Sequence, residues 1–330
     1  MANTLVEYEY LDSTPVKKGI MQTVIKESPF LGGYLPFIEI NGNALAYNLE
    51  NVMATASFYS VGDTWAESAG TWAQRTAALT VLGGDADADK FIQATRKNQD
   101  VEALVIEAKA KAVAHAFELN MIMGRTTTDD AEKQFKGLMR LIAECETSST
   151  TDLDGVNNTQ VIPASASSGA LTIDLMDQLI DAVKPRCDAL IMSRRMRRKL
   201  QSLARAAGNN LTVAQGKLGE FVTLYGEIPV FVNDWVPDNL QDGSSSVLAI
   251  ASYEQSTTRA SGYDNSAIFA VHFGEDGLCG LHNGGIQHEV VGTSHTTDAM
   301  KHRIKFYCGL ALFSTKAAAV MIDVLDTALT

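Results

Sequence analysis

The longest uninterrupted run of helix-forming residues constrains the fold of this chain more than any other segment. The run DVEALVIEAKAKAVAHAFELNMIM occupies residues 100–123 and is followed by Gly124, a residue type that often terminates helices. It predicts one long helix, against which the rest of the chain has to pack. Apolar residues at helical spacing predict its buried stripe, namely Val101, Leu104, Val105, Ala108, Ala112, Leu119 and Ile122.

The segments before this helix predict an arm and a hairpin. Residues 1–34 have little periodicity and are interrupted by proline and glycine, which predicts an extended arm. The segments 35–48 and 76–82 each suit a strand, and a polar stretch of small residues separates them. A long two-stranded hairpin cannot hold itself together in water, so we expect it to lie on another surface.

The segments after the long helix predict a mixed lobe and then a strand-rich end. A second helix is predicted at 128–146, and a connector rich in Ser, Thr, Asn and Gly follows at 147–170. Helices and strands then alternate, which predicts a mixed α/β lobe. The predicted elements are helices at 172–183 and 194–207 and strands at 188–192, 220–225, 228–232, 247–251, 267–273, 285–292 and 302–313, before a final apolar segment at 317–325.

The helix at 194–207 is the most basic part of the sequence. Residues 184–205 hold eight of the 27 Lys and Arg residues. Met196, Leu200, Leu203 and Ala207 form an apolar stripe, and the charged face carries Arg194, Arg195, Arg198 and Arg205. This face is either solvated or contacts acidic neighbouring subunits, a scaffold protein or nucleic acid, in that order of preference.

The net charge of −12 argues against general affinity for nucleic acid, because duplex binding depends on cations that displace counterions from phosphates. A container for DNA would gain from acidic walls, because its contents would not adhere to them. The sequence shows no signal peptide and no apolar stretch long enough to enter a membrane. The four cysteines are far apart and are expected to be small buried residues in a reducing cytoplasm.

No motif predicts catalysis, a metal or a cofactor. Five histidines, His272, His282, His288, His295 and His302, lie near Cys279 and Cys308, but they lack the tight pair on which zinc sites usually depend. The segment LTVLGGDADAD at 79–89 lacks the lysine of a phosphate-binding loop and the closing glutamate of a calcium loop, so we expect a turn there. A metal-dependent enzyme that uses these histidines remains the alternative from a different functional class.

The order of these segments and several local strings resemble the Hong Kong 97-type capsid proteins of tailed bacteriophages. The similar strings are SPFLGGYLPF, LTVLGGDADADKFI, DALIMSRRMRRKLQSLA, YGEIPVFVNDW, AIFAVHFGEDGLCGL and RIKFYCGLALFSTKAAAVM, which together span nearly the whole chain. The resemblance implies an α+β fold with five parts. They are an N-terminal arm at 1–34, an extended β-hairpin loop at 35–82, a peripheral domain at 83–164 with a spine helix at 100–123, an α/β axial domain at 165–300 and a C-terminal return to the peripheral domain at 301–330.

The resemblance also implies a function and a set of partners. Such a chain is a structural protein of the virion that assembles with itself, as pentamers and hexamers, into an icosahedral shell around double-stranded DNA. Assembly in the host bacterial cytoplasm, a portal and a possible cement protein are part of this expectation. Because large aromatic residues on an exposed loop usually find a partner surface, we expect Trp65 and Trp72 to contact another subunit, with packing on their own lobe as an equal alternative. The candidate contact residues are Trp65, Trp72, Tyr59, Arg75, Phe30 and Tyr34.

The sequence departs from the family in two ways. Some relatives begin with a helical scaffold region of about a hundred residues, and this chain does not, so we expect a separate scaffold protein. Some relatives cross-link subunits through a lysine in the extended loop, but residues 35–82 contain no lysine. Cross-linking from that loop is therefore excluded. An encapsulin-like nanocompartment shell, which shares this fold and loads an enzyme, is the closest alternative function.

Overall fold

The computed structural model describes residues 34–95, 101–124, 133–145, 158–164, 169–208, 211–215, 221–236, 238, 266–293 and 297–325. The helices in these ranges are α1 Lys90–Thr95, α2 Val101–Met123, α3 Leu138–Ala143, α4 Ile173–Ala182 and α5 Arg194–Ala206. The strands are β1 Phe37–Glu39, β2 Ala44–Val52, β3 Thr71–Ala78, β4 Thr80–Asp89, β5 Val161–Pro163, β6 Gly169–Ala170, β7 Ala189–Met192, β8 Thr212–Gln215, β9 Phe221–Tyr225, β10 Ile228–Val232, β11 Ser266–Val271, β12 Leu278–Thr293, β13 Ala299–Leu312 and β14 Ala318–Leu325.

The long helix α2 packs on a four-stranded sheet. The strand order is β1-β12-β13-β4, with β1 parallel to β12 and the other pairs antiparallel. The long β12–β13 ladder forms because alternate residues of β13 are apolar and point toward the helix, which is the pattern of a strand with one buried face. Among the described helices, none combines the length and the apolar character that crossing a bilayer requires.

The second sheet, in the described residues, has the order β5-β14-β11-β7-β10-β9-β8, with β6 also paired to β14. Its central strands β7, β11 and β14 are buried along their whole length, which is why they read as continuous apolar runs rather than alternating ones. Helix α4 packs against β11 and β14, and α5 packs against β10. The predicted helices at 172–183 and 194–207 are confirmed, including the N-cap at Ser193, whose hydroxyl accepts the Met196 N–H at 3.3 Å.

The predicted buried stripe of α2 is partly wrong. Ala108 and Ala112 are exposed, and the side chains that the sheet buries are instead Val113, Phe117 and Met121, each four residues from the next. Alanine suits either face of a helix, so its spacing carries little information about burial. The larger side chains, which bury more apolar area, determine which face meets the sheet.

The segment 79–89 is a strand and not the predicted turn. Strand β4 continues through Gly83 and Gly84, and the three aspartates that follow alternate along it. A side chain at Gly83 would collide with the backbone carbonyl of Ile304 on β13, and the Lys109 side chain lies where a side chain at Gly84 would be. The glycine pair therefore marks a close approach of neighbouring elements.

Two other predicted elements are shorter than expected. Of the helix predicted at 128–146, residues 128–132 and 146 lie outside the described residues, and the described part is helical only at Leu138–Ala143, with Gly137 as an extended N-cap. The helix begins after its N-cap Gly137 and ends before its C-cap Glu144, so six of the described residues have helical geometry. The strand predicted at 35–48 is split into β1 and β2 by a bend at 41–43. The strand predicted at 247–251 lies outside the described residues.

The sheets depart from the predicted division of the chain in two places. The prediction assigns residues 165–300 to the axial domain, but strand β12 from this range lies in the four-stranded sheet with β4 and β13. It assigns residues 301–330 to the peripheral domain, but strand β14 from this range lies between β5 and β11 in the second sheet. The strands at the ends of the predicted loop, β1 and β4, belong to the four-stranded sheet, and only β2 and β3 form the hairpin. As a division into domains, the five predicted ranges stay a prediction.

We expect Gly83→Ala to lower the free energy of unfolding by about 1–3 kcal/mol, because the added methyl group meets backbone that cannot move without breaking the β4–β13 ladder. Denaturant unfolding of the purified chain would measure this. Val81→Ala is the matched control on the same strand, since this exposed side chain should change the value by less than about 0.5 kcal/mol. Equal effects of the two substitutions would contradict the close approach.

The four cysteines are free, with Cys145, Cys279 and Cys308 buried and Cys187 half-buried. Burial raises the pKa of Cys145 and Cys308 to about 12 and that of Cys187 and Cys279 to about 11. A raised pKa disfavours the thiolate, so at pH 8 at most about one thousandth of each thiol is in the reactive thiolate form.

We expect iodoacetamide to label none of the four cysteines in the folded chain at pH 8 and all four in guanidinium, as mass spectrometry would measure. Rapid labelling of folded Cys145 would contradict this.

Candidate assembly surfaces

The tip of the β2–β3 hairpin exposes an unusual number of large apolar side chains. Trp65 is 78% exposed and Trp72 is 72% exposed, so neither packs on the lobe that carries it. Met53, Phe58 and Val61, in the loop between β2 and β3, are also exposed. Several large exposed apolar side chains on one element are typical of a surface that another molecule covers.

Polar contacts, rather than a core, give the tip its shape. The Tyr59 ring stacks on Trp65 at 4.3 Å, and its hydroxyl accepts the Ala66 N–H at 3.0 Å. Across the loop, the Ser68 hydroxyl accepts the Thr55 N–H at 2.8 Å. These bonds preorganise the exposed rings, which lowers the entropy that binding has to overcome.

The base of the hairpin is attached to Glu144, which three cations contact. Arg75 on β3 donates to the main-chain oxygen of Glu144 at 2.7 Å. The Glu144 carboxylate, which is mostly buried, accepts from Lys136 at 2.8 Å and from Arg140 at 2.6 Å. Tyr47 on β2 packs edge-on against Phe313 at 5.1 Å, and burial raises the pKa of Tyr47. The hairpin is thus fixed at its base and projects at its tip.

The candidate contact residues therefore divide into three groups. Trp65 and Trp72 are exposed at the tip together with the half-buried Tyr59. Arg75 and Tyr34 make contacts within the chain, since the Tyr34 ring lies 4.4 Å from that of Phe231. Phe30 lies outside the described residues. As inter-subunit contacts, all six stay a prediction.

Partners within the chain engage several of the charges on the basic helix α5, so its role as a contact face stays a prediction. Arg194 pairs with Asp234 at 2.8 Å, and Arg195 donates to the main-chain oxygen of Asp238 at 3.3 Å. Arg205 donates to the Gln201 carbonyl at 3.2 Å, and Arg198 is exposed. The buried face contains Ala204 rather than the predicted Ala207, which is exposed beyond the end of the helix.

The histidines do not converge on one point. His272 lies between Asp188, 2.6 Å from Nδ1, and Asp276, 3.2 Å from Nε2. The buried His302 lies 3.0 Å from Glu102 on α2 and contacts His288 at 3.1 Å through its other ring nitrogen. His282 lies against the ring of Phe37. Over the described ranges, which omit His295, no three His, Cys, Asp or Glu residues form a group that would hold a metal ion.

Sequence reasoning missed a ladder of ion pairs on the four-stranded sheet. Arg303 pairs with Asp85 at 2.6 Å across β13 and β4, and Lys305 pairs with Glu289 at 2.6 Å across β13 and β12. Hydrogen bonds from these cations lower the pKa of Asp85 and of Glu289. The signal was present in the sequence, because DADAD and KHRIK both alternate with the period of a strand.

We expect Glu144→Gln to loosen the hairpin, because the amide loses the charge that pairs with Lys136 and Arg140, and these pairs fix the Glu144 main-chain oxygen to which Arg75 donates. The free energy of unfolding should fall by about 1–3 kcal/mol, and amide hydrogen exchange should accelerate in β2 and β3. Glu107→Gln is the control, since Glu107 makes an exposed pair with Lys111 on α2. Unchanged exchange in β2 and β3 would contradict the anchoring role of Glu144.

Comparison with known proteins agrees with this geometry. The sequence matches the phage capsid family over residues 10–321. No curated protein sequence matches the chain significantly. Among solved structures, the capsid of Cyanophage A-1(L) is similar with a TM-score of 0.67 and 13% identity over 98% of this chain and 99% of that one.

Two further structures show the same fold. One is the holo-SrpI encapsulin complex of Synechococcus elongatus PCC 7942, with a TM-score of 0.66 and 14% identity over 100% of both chains. The other is the capsid of a native GTA particle, with a TM-score of 0.63 and 13% identity over 98% of this chain and 99% of that one. The fold is therefore the α+β fold of Hong Kong 97-type capsid proteins, and the chain belongs to the phage capsid family.

Proposed function

We propose that this chain is the major capsid protein of a tailed phage, which assembles with itself into an icosahedral shell around double-stranded DNA. The observation that carries the proposal is the projecting hairpin, whose tip exposes Trp65, Trp72, Phe58, Val61 and Met53 in a chain of the phage capsid family. A monomer gains nothing from such a surface, whereas a shell subunit covers it with a neighbour. The role is structural rather than catalytic.

Many weak contacts, rather than one strong one, would hold the shell. The contacts of one subunit would be spread over several partners, so each can be smaller than the ~1,600 Å² that a standard interface buries. Each subunit in a closed shell, however, both gives a hairpin and receives one, so the contacts act together. Pentamers and hexamers of the chain are the expected units, and a separate scaffold protein, a portal and a cement protein are further partners that we propose.

The distribution of charge supports assembly with itself. Residues 44–74, which form most of the hairpin, contain Glu50, Asp63 and Glu67 and no lysine or arginine. The exposed face of α5 is basic, so acidic neighbouring copies remain its preferred partner, ahead of a scaffold protein or nucleic acid. A net charge of −12 lets the shell enclose DNA without sequence-specific binding. We place assembly in the host bacterial cytoplasm.

An encapsulin-like nanocompartment is the second candidate function, because the SrpI encapsulin matches over the full length of both chains. The two candidates differ in content and in neighbouring genes. Terminase or portal genes beside the coding sequence would favour the phage, and a gene for an enzyme cargo would favour the compartment. Nuclease-protected DNA in shells purified from the natural source would identify the phage capsid.

Negative-stain electron microscopy of the recombinant chain, with size-exclusion chromatography, tests whether it is a shell subunit. Co-expression with the neighbouring genes supplies a scaffold if one is needed. We expect closed shells or rings of five and six subunits. A monomer or dimer that persists at high concentration and after co-expression would overturn the proposal.

We expect Trp65→Ala and Trp72→Ala each to weaken assembly more than folding, because these exposed rings contribute to contacts between subunits and little to the core. Shell yield should fall, and assembled shells should lose heat resistance, while denaturant unfolding of unassembled subunits changes by less than about 0.5 kcal/mol. Thr64→Ala in the same loop is the control. Normal shell yield and heat resistance in both tryptophan variants would refute this role.

A further inference from the structure

The strand β12 is paired on both sides for only part of its length. Strand β1 pairs with it at Gly280, Leu281 and His282, and the chain then leaves the sheet toward the hairpin. Gly284 and Gly285, both with positive φ, interrupt the ladder with β13 before pairing resumes at Ile286. From there to Thr293, the residues that the structure describes supply a partner on the β13 side alone.

The two edges of this sheet differ sharply in character. The outer edge strand β4 carries Asp85, Asp87 and Asp89 on alternate positions, and Arg303 and Lys301 pair with the first two, so this edge is a row of charged groups that discourages a further strand from pairing. Residues 286–291 of β12, with the sequence IQHEVV, contain one charge, Glu289, which Lys305 already neutralises at 2.6 Å. Ile286, Val290 and Val291 are 53%, 54% and 48% exposed. This edge has no proline and no lysine, so nothing in it opposes pairing.

We propose that residues 286–291 of β12 pair with the same residues of a second copy, as antiparallel strands about a twofold axis. With His288 opposite His288 of the second copy, Ile286 lies opposite Val290 and Gln287 lies opposite Glu289. The apolar side chains of Ile286 and Val290 then meet each other, and each Glu289 carboxylate meets a Gln287 amide. The next symmetric register places two Glu289 carboxylates opposite each other, which charge repulsion disfavours.

The symmetry of the pairing fits a closed shell. An isologous contact requires a twofold axis, and an icosahedral shell supplies such axes between its pentamers and hexamers. The inference rests on the proposed function for this twofold axis only, because the apolar β12 edge is already unpaired among the described residues of a single chain. Two four-stranded sheets would join into one continuous sheet across the axis.

Disulfide trapping in mixed shells tests the register. Directly opposite residues in antiparallel strands lie about 4.5–5.5 Å apart at Cα, within the range that a disulfide spans. Shells are assembled from Ile286→Cys subunits, from Val290→Cys subunits and from an equal mixture, and are then oxidised. We expect cross-linked dimers in the mixture, with up to about half of the pairs being mixed, and none in either single-variant shell. The wild-type chain, whose cysteines are not exposed, is the background control.

The outcomes separate this inference from the proposed function. Shells that form in all three samples without extra cross-linking in the mixture would overturn the pairing and leave the shell function intact. Equal cross-linking in the single-variant shells would also overturn it, because position 286 would then face position 286 or another partner.

A second variant pair tests the edge without engineered cysteines. Val290→Lys places a charge on the β12 edge, whereas Val81→Lys places one on the β4 edge of the same sheet, where Val81 is exposed. We expect Val290→Lys to lower shell yield about tenfold relative to Val81→Lys, since each contact contains two copies of the substitution. Equal shell yields from the two variants would overturn the proposal.

Discussion

The contact of three phenylalanine rings with that of Phe117 determines how the parts of this chain are placed. Phe117 on α2 is fully buried, and its ring lies 5.9 Å from Phe37 on β1, 5.5 Å from Phe135 before α3 and 5.7 Å from Phe306 on β13. Offset aromatic pairs of this kind add to the free energy of burial. They join four segments that are far apart in sequence, so the long helix, the sheet and the root of the hairpin take one orientation relative to each other.

Burial decreases from this centre toward the periphery, and other forces replace it there. The base of the hairpin depends on Glu144 and three cations, the exposed face of the sheet depends on cross-strand ion pairs, and the tip depends on a few hydrogen bonds. Contacts of this kind are weaker and more sensitive to salt than a core. The peripheral elements can therefore adjust to neighbouring copies while the centre keeps its packing.

The sequence predicted the order of elements well, because long helices and buried strands have strong periodic signals. Residues 173–182 and 194–206 are helical as expected, and the projecting hairpin lies between the predicted segments. The face of α2 was mispredicted, since Ala108 and Ala112 suit either side. The DADAD strand was mispredicted because a glycine pair in a strand reads as a turn until its neighbour, the Ile304 carbonyl, is known. The hydrogen bond from Arg75 to the Glu144 main chain joins residues 69 positions apart, so no local sequence pattern could have predicted it.

The aspartates on β4 have a consequence for how far the sheet can grow. A strand edge that accepts another copy would, if the opposite edge did the same, lead to an open fibre rather than a closed particle. The ion pairs that Asp85 and Asp87 form with Arg303 and Lys301 oppose this, because a strand added at the outer edge would have to displace or bury them. In the proposed pairing of β12, growth in the direction of hydrogen bonding stops once two sheets have joined, so further subunits are added sideways, which is the direction that builds a curved wall.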